Sequence, residues 1–210
     1  MKFGNNTEYF EAFSKRNPPG FSKILQTKCV GICGAGGLGS NIAMSLTRSC
    51  IGKIIVADFD KVEPSNLNRQ QFMIEHIGLA KVEALKDMIV KVSPFTKVET
   101  HFLKVDEKNV LSLFSKCDVI IEAFDKADQK RMLIETVQTE LSHIPVVAGS
   151  GMAGTGPADM IKTQQFGNLY ICGDGVSEAT VEAGLLASRV AICANHQAHQ
   201  VIRLLLGVDE

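Results

Sequence analysis

CVGICGAGGLGSNIAMSLTRSCIGKIIVADFDKVEPSNLNRQQ, residues 29–71, decides the fold. Val30–Cys33 is an apolar strand, and Gly34-Ala35-Gly36-Gly37-Leu38-Gly39 is a glycine-rich turn that opens onto a helical pattern. A second apolar run, Ile54–Ala57, ends at Asp58. Strand, glycine turn, helix and strand in that order let a phosphate approach the backbone at a helix N-terminus. Gly34, Gly36, Gly37, Leu38 and Gly39 are therefore expected to hold a nucleotide. Asp58, about 20 residues beyond the glycines, is placed to bind ribose hydroxyls. The competing readings are a purely structural turn and an aspartate that merely ends a strand.

Outward from this stretch, the chain alternates apolar strands with helical periods. Helices are expected at Thr7–Phe13, Leu38–Ser49, Leu79–Val92, Asn109–Phe114 and Lys126–Leu141, with strands at Val98–Leu103, Cys117–Ala123 and Ile144–Ala148. All-apolar strands between helices mark a parallel sheet covered on both faces. Pro18-Pro19-Gly20 breaks the first helix from the core and makes the residues up to 27 a linker. After Gly149 the rhythm changes to a glycine loop ending at Gly156. Two short strands follow, Met160–Phe166 and Asn168–Cys172, and then a long helix from Glu182 to Leu206. The expectation is an α/β, Rossmann-like, doubly wound and mainly parallel sheet with a C-terminal antiparallel hairpin and a long terminal helix. It forms a single domain over 1–210: N-terminal helix and linker at 1–27, nucleotide-binding core at 28–149, hairpin and helix at 150–210.

Composition narrows the class. The 210 residues are 45% hydrophobic with a formal net charge of -1, which supports a sizeable core and disfavours a nucleic-acid or membrane-surface protein. No apolar run reaches the roughly 18 residues of a membrane span, and Met1–Asn6 shows no leader-like apolar segment, so a cytoplasmic enzyme is expected. The six cysteines, Cys29, Cys33, Cys50, Cys117, Cys172 and Cys193, form no CxxC pair, so no zinc is expected.

Ser65-Asn66-Leu67-Asn68-Arg69-Gln70 needs an explanation beyond a bound dinucleotide. An enzyme that activates a carboxylate with ATP must hold three phosphates. The planar fork of an arginine pairs with their oxygens, and Asn66, Asn68 and Gln70 bond to them without adding charge. Lys81 on the next helix offers a second cation, or is an exposed helix lysine. Asp125, beyond the fourth strand, offers a carboxylate for Mg²⁺, or caps the following helix. Asp60 reads as a turn residue. Arg16 is a surface residue or a phosphate contact made in a neighbouring subunit. His196 and His199, one helical turn apart, find no third ligand at suitable spacing.

Gly34–Ser40, Ala57-Asp-Phe-Asp-Lys-Val62, Ser65–Gln70, Lys81-Val-Glu83 and Glu122-Ala-Phe-Asp125 occur in the order and spacing of the ThiF/MoeB/HesA family, relatives of ubiquitin-activating enzymes. The chain resembles that family over roughly residues 15–150, and its short ThiF-type members in particular. The resemblance implies ATP- and Mg²⁺-dependent adenylation of the C-terminal glycine carboxylate of a ubiquitin-like sulfur-carrier protein (ThiS-like, in thiamine thiazole biosynthesis), with release of pyrophosphate. By motif, Gly37 would lie against the nucleotide, Asp58 would bind the ribose, Ser65–Arg69 and Lys81 the phosphates, and Asp125 the metal. A homodimer is implied, with Arg16 the nearest candidate for an arginine reaching the partner's ATP. Cys172 is a candidate for a covalent carrier intermediate, against a buried strand cysteine. The alternatives are a relative that adenylates another carboxylate, on a molybdopterin-type carrier or on tRNA, and a non-catalytic nucleotide-binding protein. A nicotinamide dehydrogenase fits least.

Overall fold

The apolar run that opens the deciding stretch becomes the centre of a seven-stranded sheet in the computed structural model, which describes residues 6–208. The leader reading at the extreme N-terminus thus lies almost wholly outside the described residues. The strands are β1 (Cys29–Cys33), β2 (Lys53–Ala57), β3 (Lys97–His101), β4 (Val119–Glu122), β5 (Val146–Gly149), β6 (Lys162–Phe166) and β7 (Leu169–Gly173). Their order is β3-β2-β1-β4-β5-β7-β6. Every pair is parallel except β6–β7, an antiparallel hairpin that turns at Gly167 with φ +59°.

Alternate strand residues point to opposite faces, and here each set meets its own layer of helices. Val30, Ile32, Ile54, Val56, Val119 and Ile121 pack against α3 (Gly37–Arg48), α4 (Lys81–Val92) and α7 (Ala187–Leu206). Cys33, Ile55, Ala57, Ile120 and Val146 face α5 (Val110–Phe114) and α6 (Ala127–Glu140). The chain winds outward from β1 to β3, then crosses back to β4 on the other side of β1. That reversal leaves a crevice beyond the carboxyl ends of β1 and β4, where open α/β sheets bind ligands.

The glycine turn sits at this crevice, and its geometry explains its composition. Gly34 has φ +101°, which L side chains rarely adopt, and a Cβ built on Gly39 would lie 1.9 Å from the Gly34 carbonyl oxygen. Gly39→Ala is accordingly expected to destabilise the protein by about 1–3 kcal/mol through overpacking, read as a lower urea midpoint. An unchanged midpoint would show that the turn opens at no cost.

Several boundaries differ from the sequence reading. The terminal helix begins at Ala187 rather than Glu182, because Gly184 adopts φ +61° and Leu186 is extended. Ala183, Gly184, Leu185 and Leu186 therefore belong to the preceding loop. α4 starts at Lys81 rather than Leu79, since Ala80 is extended and bridges back to Lys61. Residues 21–25, expected as linker, form the short helix α2 (Phe21–Leu25) with Leu25 in the core. The first helix, α1 (Asn6–Ser14), docks through Tyr9, Phe10 and Phe13 around the ring of Phe95.

Candidate functional site

A cavity of about 500 Å³ opens at the switch point. The glycine turn forms its floor, through Gly34, Gly36, Gly37 and Leu38. Asp58 stands at one side, 9% exposed, with its two oxygens fixed by backbone donors: Ala35 N–H at 2.6 Å and Asp60 N–H at 2.7 Å. Burial pushes its carboxyl up, opposed by those two donors and by the ammonium of Lys81.

Two strips of loop bring Lys81 to the same cavity. Val62 N–H donates to the Leu79 carbonyl, Gly78 N–H to that of Val62, and Lys81 N–H to that of Asp60. This lacing turns the Lys81 side chain inward, 8% exposed, where Nζ bonds Asp60 Oδ2 at 2.7 Å. Lys81 is thus a buried, oriented cation and not an exposed helix lysine, and Asp60 is more than a turn residue.

The polar loop is built around Arg69. Its guanidinium donates to the Ser65 carbonyl at 3.1 Å and to Asn68 Oδ1 at 2.8 Å, which aims the fork across the cavity mouth. Asn41 Nδ2 from α3 holds the Arg69 carbonyl at 3.0 Å, tying the loop to the helix that starts at the glycine turn. Asn66 and Gln70 are buried and line the cavity. Gln70 Oε1 has no hydrogen-bond partner among the described residues, so it is a buried polar group with capacity for a ligand.

Opposite, Phe124 and Asp125 line the cavity from the turn after β4. Glu122, fully buried, fixes that turn by accepting the Phe124 N–H at 2.7 Å. Burial pushes the Glu122 carboxyl up, opposed by Lys130, which also reaches the Gly149 carbonyl at 3.0 Å. The pair therefore joins the ends of β4 and β5 behind the cavity. Asp125 itself is exposed and forms no ion pair among the described residues, and Lys126, not Asp125, occupies the cap position of α6. A magnesium ion held mainly by phosphate oxygens needs only one or two protein carboxylates, and Asp125 fits that donor set.

The remaining expected residues separate from the cavity lining. Gly39 packs beneath the turn. Ser65 and Asn68 hold Arg69 from behind. Arg16 is exposed and outside the lining of its own chain's cavity. Cys172 is buried in β7 beside Thr163, and burial pushes its thiol to about 11, which makes it a strand cysteine. Among the described residues no group of three or more His, Cys, Asp and Glu side chains gathers as metal ligands, and His196 and His199 flank a separate shallow groove. No helix among them is long and apolar enough to cross a membrane.

Sequence reasoning missed Asp60, Glu122 with Lys130, and Arg189. The Arg189 guanidinium donates to the carbonyls of Ala153, Gly156 and Pro157 and pairs with Asp174. It thereby fastens the glycine loop to the start of α7, beside Met152, Leu185 and Val190 in the cavity wall.

These features define a doubly wound, Rossmann-like α/β domain with a polar ligand cavity at its switch point. A sequence profile described as the ThiF family matches residues 10–210, and the chain belongs to that family. It is 29% identical over 208 residues to ubiquitin-like modifier-activating enzyme 5 of Caenorhabditis elegans, covering 89% of this chain and 49% of the relative. It is 30% identical over 194 residues to the adenylyltransferase and sulfurtransferase UBA4 of Kluyveromyces lactis, covering 88% and 43%. The chain thus spans about half the length of the curated relatives it matches. Its fold matches E. coli tRNA N6-threonylcarbamoyladenosine dehydratase, TcdA, in complex with AMP, with a TM-score of 0.86 at 19% identity, over 99% of this chain and 98% of that one. E. coli MccB with ATP matches with a TM-score of 0.70 at 22% identity, over 98% and 63%.

Proposed function

We propose that this protein binds ATP in the switch-point cavity and transfers its AMP moiety to the C-terminal glycine carboxylate of a ubiquitin-like sulfur-carrier protein of the ThiS type. The observation that carries the reading is the convergence on one cavity of a buried carboxylate, Asp58, two oriented cations, Arg69 and Lys81, and a free carboxylate, Asp125. A hydride-transferring dinucleotide enzyme breaks no bond to phosphorus, so no charge builds on its phosphates for Arg69, Lys81 and Asp125 to offset. Residues 1–210 act as one adenylyltransferase domain, and in a homodimer Arg16 reaches the partner's nucleotide.

The reaction asks for positioning and charge stabilisation. A carrier carboxylate oxygen forms a bond to the α-phosphorus while the bond from that phosphorus to the α,β-bridging oxygen breaks, and pyrophosphate leaves with the electron pair. The nucleophile is already an anion, so no side-chain base is required. Asp58 accepts from the ribose hydroxyls and sets the nucleotide's depth. Arg69 and Lys81 lower the negative charge that builds on the phosphates, and do so best in a cavity that excludes water. Asp60 keeps the Lys81 ammonium aimed inward. Asp125 would hold a magnesium ion, which when bound would offset the negative charge of the phosphates and of the departing pyrophosphate.

Asp58→Asn is expected to weaken ATP binding about 10- to 100-fold, because an amide cannot accept from both backbone donors and loses the charge-assisted bonds to the ribose. Calorimetric titration with ATP reads this, and wild-type affinity in the variant would remove Asp58 from the site. The activity itself is tested by exchange of labelled pyrophosphate into ATP. Exchange should require Mg²⁺ and a ThiS-type carrier ending in glycine, and should vanish when the carrier's terminal residue is deleted. Absence of exchange with every ubiquitin-like carrier tried would defeat the reading.

A further inference from the structure

At the end of the sheet away from the cavity, two thiols face each other. Cys29 opens β1, and Cys117 lies two residues before β4, with their Sγ atoms 3.9 Å apart. The backbone holds them there: Cys29 N–H donates to Asp118 Oδ2 at 2.8 Å, and Asp118 N–H donates to the Cys29 carbonyl at 2.8 Å. Cys29 is half-buried and Cys117 is 6% exposed. No other hydrogen-bonded sulfur pair occurs among the described residues. The Cys193 thiol, for instance, bonds the Cys172 carbonyl rather than its sulfur.

We infer that Cys29 and Cys117 form a reversible dithiol–disulfide couple whose oxidant is a small-molecule disulfide such as oxidised glutathione. A rotation of the two side chains that closes 3.9 Å to the bonded separation of about 2.05 Å completes it.

The surroundings assign the roles. The hydrogen bond from Cys117 lowers the Cys29 thiol against its partial burial. The ammonium of Lys53, its register partner on β2, adds to this, and Asp118 and Glu99 oppose it. Cys117 is pushed up in turn, first by that shared hydrogen bond and then by burial. Cys29 is thus the more accessible, thiolate-forming partner and Cys117 the sheltered one. The Cys29 thiolate attacks one sulfur of the small disulfide, forming a mixed disulfide and releasing one small thiolate. With Cys29 no longer charged, Cys117 gives its proton to solvent and attacks Cys29 Sγ, releasing the second small thiol. Two protein thiols lose two protons and two electrons, and the small disulfide gains both. Five residues of β1, about 16 Å at ~3.3 Å each, separate the couple from the cavity, so the oxidised protein should bind nucleotide as the reduced one does.

The folded protein is incubated with oxidised glutathione, quenched in acid, alkylated and mapped by mass spectrometry without reduction. The expected product links the Cys29 and Cys117 peptides and disappears with dithiothreitol. Cys117→Ser should stop at a Cys29–glutathione mixed disulfide, and Cys29→Ser should leave Cys117 unmodified. In the untreated protein, alkylation of Cys29 should outrun that of Cys33 and Cys172 by about tenfold or more. A wild-type protein that stops at the mixed disulfide, or leaves Cys29 reduced, overturns the inference. So does a Cys29→Ser protein glutathionylated at Cys117 as fast as the wild type is oxidised.

Discussion

Arg69→Ala is expected to cut carrier-dependent pyrophosphate exchange by roughly 100- to 1,000-fold, the range seen when one preorganised donor is removed from a developing anion. Arg69 is half-buried at the cavity mouth, and its fork rests on the Ser65 carbonyl and Asn68 Oδ1. Both partners remain able to bond water once the guanidinium is gone. The fold should therefore survive with a loss near the range of about 0.5–1.5 kcal/mol for an ordinary hydrogen bond. The effect should fall mainly on kcat, because the arginine's contribution grows as charge moves onto the phosphates. Arg69→Lys should recover part of the rate, since it restores the charge without the bidentate geometry. A variant that loses only affinity for ATP, with kcat intact, would reduce Arg69 to a ground-state contact.

Arg189→Met is expected to be the most damaging substitution for stability, at about 3–5 kcal/mol, the usual result of removing one partner from a buried ion pair. The Arg189 and Asp174 side chains are 6% and 3% exposed. Their loss of contact would leave Asp174 buried without its cation and release the carbonyls of Ala153, Gly156 and Pro157. Burial alone would push the Asp174 carboxyl up. The N–H groups of Ser177 and Val176, the Ser177 hydroxyl and Arg189 together hold it well below the usual carboxylate range. The sign of the pH dependence follows. A depressed carboxyl contributes stability that is present above its unfolded value of about 3.9 and is lost as pH falls toward the folded one. The gap between wild type and variant should therefore narrow in acid, and urea midpoints across pH would read it. A gap that widens as pH falls would assign the loss to something other than Asp174.

Much of this molecule is written locally. The paired alternation Val30/Ile32 and Ile54/Val56, with Gly31/Cys33 and Ile55/Ala57 between, places one set on each face and announces a sheet covered on both sides. Ser65–Gln70 is legible because several site groups lie within one loop. What escaped is contact between distant positions that carry no periodic signal. Lys81 meets Asp60 only because residues 60–62 lace to 78–81, and Arg189 meets its four partners 15 to 36 residues upstream. Glu122 reads as one more residue of an apolar strand until Lys130, in the first turn of α6, is seen against it. The start of the terminal helix is illegible in the sequence for the opposite reason. Small helix-compatible residues surround Gly184, and nothing in the spacing reveals that its φ is positive.

The central claim is that ATP in this cavity is consumed by a carrier's terminal carboxylate. The most direct measurement is the intact mass of a ThiS-type carrier after brief incubation with the protein and Mg·ATP, quenched in acid. A carrier species heavier by one AMP less water is expected, carried on its C-terminal glycine and absent with Arg69→Ala. A carrier that keeps its mass while ATP is demonstrably bound would contradict it.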